Sequence, residues 1–137
     1  MLSASPTGGP MLADAPTFSS FSVDDVDAAL TFYRDTLGLD AEITDMGIVQ
    51  LNLAGGARAI AYPKQAHRPA DFTVLNFVVD DVDAAVDDLR ARGVETKIYT
   101  DPDLGTDERG ISRGNGGPPI AWFRDSAGNV LSVLEDA

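Results

Sequence analysis

Sliding the chain against itself by 56 positions lays residues 21–30, FSVDDVDAAL, on residues 77–86, FVVDDVDAAV, with eight of the ten positions identical. Each copy passes from an apolar strand end through paired aspartates into an alanine-rich helix start, so context agrees as well as residue type. Two copies are too few to stack as a solenoid. They point to a duplicated module whose halves face each other.

In the first copy Val26, Ala29, Leu30, Tyr33 and Leu37 follow helical spacing, while Asp27, Arg34 and Asp35 fall outside that stripe. Val82, Ala85, Val86 and Leu89 repeat the stripe in the second. The pairs Asp24-Asp25 and Asp80-Asp81 stand at the two helix starts, where a carboxylate caps free N–H groups and complements the dipole, so they read as caps and not as metal ligands. Gly38 and Gly93 supply the left-handed residue that ends each helix.

A strand is predicted before each helix, at 17–23 and 73–79. Three more follow it, at 41–45, 48–53 and 57–62 in the first half and at 94–100, 119–124 and 130–134 in the second. The expected fold is α+β: two tandem βαβββ modules whose curved mixed sheets pair around a cleft. Residues 1–16 read as an N-terminal tail, 17–62 as the first module, 63–72 as a linker and 73–137 as the second module, forming one domain over 17–137. Residues 101–118, rich in Gly, Asp and Pro, have no counterpart in the first half and read either as a lid or as a surface excursion.

Composition removes several functions. A chain of 137 residues that is 44% apolar can bury one core. With 22 acidic residues against 10 Lys plus Arg, the net charge of −12 repels phosphate, so no nucleic-acid partner is expected. The absence of cysteine rules out disulfides, thiolate zinc sites and cysteine nucleophiles. His67 is the sole imidazole, so a mononuclear site drawing two histidines from one chain cannot form. Neither GxGxxG nor GxxxxGK[ST] occurs. No apolar run approaches a membrane span and MLSASPTGGP lacks the features of a secretion signal, so the expectation is a cytoplasmic protein with no membrane partner.

The segments FSVDDVDAALTFYRDTLGL, FVVDDVDAAVDDLRARGVE and FRDSAGNVLSVLE resemble the vicinal oxygen chelate superfamily, which contains glyoxalase I, extradiol dioxygenases and bleomycin-resistance proteins. The resemblance covers nearly all of the chain after residue 16 and implies paired βαβββ modules around a cavity. In the metal enzymes of that family a histidine stands early in the first strand of each module and a glutamate in a late strand. Carried onto this chain, the histidine positions fall on Phe18 and Val74 and the second glutamate on Ser132, while residues 57–62 contain no acid. The resemblance is therefore nearest the metal-free, bleomycin-resistance-like branch, and no metal, cofactor or catalytic residue is assigned.

Strand alternation puts Phe18, Ser20 and Ser22 on one face with Val74, Asn76 and Val78, and the resemblance turns that face toward the cavity, with Ser132 in its wall. Trp122 and Tyr62 are candidates either for stacking against a ligand or for the core. Arg113 and Arg109 are placed either to meet an anionic group or to be solvated. His67, among Lys64, Arg68 and Pro69, is expected at the surface. Ser20 and Ser132 have no histidine beside them in motif and no GxSxG elbow occurs, which argues against a serine nucleophile. The predicted ligand-binding set is Phe18, Ser20, Tyr62, Val74, Asn76, Arg113, Trp122 and Ser132.

The function this implies is metal-independent binding of a small organic ligand, a drug or metabolite, with cationic or aromatic character favoured by the acidic surface. A homodimer is expected from the family. The alternative is a lyase, isomerase or dioxygenase-like enzyme with an atypical site, using acids such as Asp101, Asp103, Glu108, Glu42 or Asp45.

Overall fold

The computed structural model describes residues 11–114 and 116–136. Of the N-terminal tail, residues 1–10 lie outside the described residues, and Met11–Asp14 form one exposed 3-10 turn. Strand β1 (Ser19–Val23) leads into helix α1 (Val26–Leu30), which widens into a π-turn over Thr31–Thr36. Strands β2 (Asp40–Ile43), β3 (Val49–Asn52) and β4 (Arg58–Pro63) complete the first sheet. The second half repeats this order with β5 (Thr73–Val79), α2 (Val82–Ala91), β6 (Ile111–Ser112), β7 (Ile120–Arg124) and β8 (Val130–Glu135).

The two four-stranded sheets have matching orders, β1-β4-β3-β2 and β5-β8-β7-β6. In each, the first strand pairs in parallel with the last and the remaining pairs are antiparallel. The α+β duplication expected from the repeat is the observed architecture.

Asp25 and Asp81 cap the helices as their place in the sequence requires, accepting from Ala28 N at 3.1 Å and Ala84 N at 3.2 Å. Alternation decides what each strand buries. Phe21 and Val23 of β1, Ala121 and Phe123 of β7, and Leu131 and Val133 of β8 join Ala29, Tyr33, Val82, Val86 and Leu89 of the helices in one core cluster. Both sheets therefore bury the same side of the pleat against the helices, and Ser20, Ser22, Asn76, Trp122 and Ser132 point the other way.

One predicted strand is corrected. Residues 94–100 form no strand, and the edge of the second sheet is supplied by β6, inside the stretch predicted to be loop. Val94 and Thr96 are buried, so the alternation that suggested a strand reports one-sided burial and not a hydrogen-bonded ladder. Thr96 Oγ1 donates to Arg109 O at 2.8 Å and Lys97 Nζ to Thr106 O at 3.0 Å, so side chains tie this segment down. Gly110 permits the close approach, because a Cβ there meets Thr96 O at 2.0 Å. Among the described residues, no helix is long and apolar enough to cross a membrane.

Candidate functional site

A junction between the halves sets the site. Asp125, buried at the turn between β7 and β8, accepts at Oδ1 from Ala127 N and Asn129 N, both at 2.9 Å. Its Oδ2 accepts from Tyr33 O–H at 2.6 Å and from Asn129 Nδ2 at 3.1 Å. Asn129 carries the connection onward, with Nδ2 donating to Ser22 O at 2.8 Å and Oδ1 accepting from Ala70 N at 3.0 Å. The DSAGN turn thus holds α1, β1 and the linker together. Burial first, and then the adjacent Asp125 charge and its hydrogen bond, push the Tyr33 phenol far above its ordinary range, so it remains a donor.

Beside this junction an open cleft of about 440 Å³ runs between β1 and β5 under the linker. Of the predicted set, Ser20, Tyr62 and Val74 line it. Ser22, Arg68 and Phe72 add a hydroxyl, a cation and an exposed ring to its wall. Among the described residues Arg68 has no ion-pair partner.

Asn76, Ser132 and Trp122 form a neighbouring row across the second sheet, since Ser132 pairs with Asn76 on one side and Trp122 on the other. Ser132 Oγ donates to Asn76 Oδ1 at 2.6 Å, and the indole meets the Tyr99 ring edge-on at 5.3 Å. This row lies outside the cleft wall.

Two predicted residues stand elsewhere. Phe18 precedes β1 and lines a shallow depression with Gly55, Gly56 and Arg58, whose guanidinium lies 5.6 Å from the ring centroid. Arg113 Nη2 donates to Asp83 Oδ1 at 2.7 Å, and Arg109 Nη1 reaches the same oxygen at 2.8 Å while Nη2 contacts Asp87. These arginines strap residues 109–113 to α2. The hydrogen bond from Arg113 leads the effects that hold the Asp83 carboxyl below its ordinary range.

His67, expected to be solvated, is half-buried and bridges the halves. Its Nδ1 is 2.7 Å from Ser22 Oγ and its Nε2 is 2.9 Å from Ala127 O. The sequence places Ser22 on the cavity face, but its partner is 45 residues away, a separation no local motif spans. A lone histidine in a proline-bracketed linker beside an arginine was the available signal.

The positions where the resemblance sets metal ligands do not fit a metal ion. Phe18 and Val74 offer no donor atom, Ser132 offers one neutral hydroxyl where the metal enzymes have a carboxylate, and the repeat equivalent of Ser132 is Ile60, opposite Ser20 in the ladder. Among the described residues no group of three His, Asp or Glu side chains could hold one. Of the acids in the enzyme alternative, Asp101 accepts from Asp103 N at 2.9 Å as the cap of a 3-10 turn. None of the five lines the cleft.

Comparisons with known proteins agree with this architecture. The chain matches an antibiotic-binding protein from Streptomyces sp. CB03234 with a TM-score of 0.64 and 23% identity, covering 90% of this chain and 98% of that one. It matches lactoylglutathione lyase from Agrobacterium tumefaciens with a TM-score of 0.63 and 23% identity over 88% and 93% of the two chains. A genomically encoded fosfomycin resistance protein from Listeria monocytogenes gives a TM-score of 0.66 at 13% identity over 90% and 91%. A search of curated proteins finds no significant match. The sequence profile of the Glyoxalase/Bleomycin resistance protein/Dioxygenase superfamily matches residues 17–133, and the chain belongs to that superfamily.

Proposed function

We propose that the protein binds a small organic molecule without a metal ion, holding it in the cleft between β1 and β5 and sequestering it. The observation that carries this reading is the wall itself. A cavity of about 440 Å³ mixes the rings of Tyr62 and Phe72 with the hydroxyls of Ser20 and Ser22, which suits holding a flat, amphipathic molecule. The ligand positions of the family's metal enzymes carry side chains with no affinity for a divalent ion. The name of the Streptomyces relative, an antibiotic-binding protein, supports the same class of function.

At long range the net charge of −12 draws cationic ligands toward the molecule. The protein acts in the cytoplasm as a homodimer on this reading, and sedimentation should give about twice the chain mass of 14.4 kDa. A species of one chain mass overturns the dimer.

Thermal-shift titration of EDTA-dialysed protein with aromatic cations and antibiotics tests the binding. A true ligand raises the melting temperature with concentration, equivalent to about 2.7 kcal/mol at one hundred times its Kd. The rise should vanish in Ser20→Trp, which fills the cleft. Ligand binding that appears only after a divalent metal is restored overturns the proposal.

A further inference from the structure

We infer that the cleft selects ligands presenting an N–H or O–H donor to Ser22, because that hydroxyl's own hydrogen is donated to Nδ1 of the lone, neutral imidazole. The inference rests on the binding reading above and adds the polarity of the contact. His67 Nε2 lies 2.9 Å from the carbonyl oxygen of Ala127. A carbonyl can only accept, so Nε2 bears the hydrogen and Nδ1 of the neutral ring is bare. Ser22 Oγ, 2.7 Å from Nδ1, must then be the donor.

A serine hydroxyl ordinarily rotates to donate or accept as its surroundings ask. Here that freedom is gone. The Ser22 carbonyl is held by Asn129 Nδ2 at 2.8 Å, its residue is paired with Tyr62 in the ladder, and its hydroxyl proton is committed to the ring. What the side chain still offers to the cleft it lines is oxygen lone pairs. Flat molecules carrying an indole, aniline, phenol or amide hydrogen satisfy them, whereas ethers, furans and ketones without such a hydrogen place oxygen against oxygen.

Because His67 is the only imidazole, its ring nitrogens give a single set of NMR signals in untagged protein. At pH 8 long-range 1H–15N spectra should show the Nε2–H tautomer with an unprotonated Nδ1. Titration with indole and with benzofuran, equal in shape but with oxygen replacing the N–H, should favour indole about tenfold in Kd. Ser22→Ala should bring the two within about twofold by weakening indole alone, and Ser22→Thr should restore the preference. An Nδ1–H tautomer, equal binding of the two compounds to wild type, or a preference that survives Ser22→Ala overturns the selectivity alone. If neither compound shifts the amide signals of Ser20, Tyr62 or Val74, the binding reading falls and the selectivity falls with it.

Discussion

Helices α1 and α2 begin on the same motif and each stops at a left-handed glycine, but Gly38 stands seventeen residues after Phe21 and Gly93 sixteen after Phe77. Tyr33 and Leu89, equivalent in the repeat, are both buried, so the extra residue lies between Tyr33 and Gly38. The first half absorbs it by widening a turn, with Leu37 N reaching back five residues to Phe32 O at 2.9 Å. Helix α2 needs no such turn. Its half instead carries the irregular course from 94 to 110 before β6. Cap and stop are fixed in both halves by a carboxylate bond and a positive φ, and what lies between or beyond them is free to differ.

The largest effect is expected where the second half departs most from the first. Gly110→Ala drives a Cβ into the backbone of Thr96 and forces a side chain into φ +85°, at a cost of about 4 kcal/mol or more. Gly47→Ala, with φ +76° but open space around it, should cost only about 1 kcal/mol. Urea denaturation of the pair separates backbone collision from backbone strain, and equal costs would refute the role given to Thr96.

Asp125→Ala comes next, at about 3 kcal/mol, since it orphans the buried Tyr33 hydroxyl and the amides of Ala127 and Asn129. Tyr33→Phe, which removes only one donor, should lose about 1 kcal/mol by the same measurement.

Deleting exposed Asp35 gives α1 the spacing of α2 and should convert the π-turn to ordinary α-helix, changing stability by less than about 1 kcal/mol. Carbonyl and Cα chemical shifts over residues 31–37 report the conversion; persistence of the five-residue hydrogen bond contradicts it. The smallest effect belongs to the arginine strap. Asp83 titrates below its ordinary 3.8 in the folded chain, so its contribution is complete above that value and is lost as pH falls below it. Hydrogen-exchange protection across residues 101–113, taken relative to the intrinsic rate at each pH, should therefore fall in acid, and Asp83→Asn should show the lower protection already at neutral pH.

The repeat made most of the architecture legible, because caps, apolar stripes and stop glycines are local and were present twice. Strand β6 was hidden for a different reason. Ile111 and Ser112 make only two ladder pairs, while residues 94–100 show the stronger alternation yet bury it without pairing. The cleft was half legible: alternation put Ser20 and Val74 on one face and Tyr62 stood as a candidate stacking ring, but Arg68 and Phe72 reach it from the linker, which has no periodicity to read. Arg113 was placed in its loop correctly. Its partner Asp83 is 30 residues away on a helix face that the sequence marks simply as polar.

The clasp between Asn129 and Ser22 spans 107 residues. A ribosome adding about 5–20 residues each second needs roughly 5–20 seconds to travel from one to the other. For that interval the Ser22 carbonyl waits without its Asn129 partner. Codon changes that slow translation between the two residues should therefore lower soluble yield more than equal slowing elsewhere.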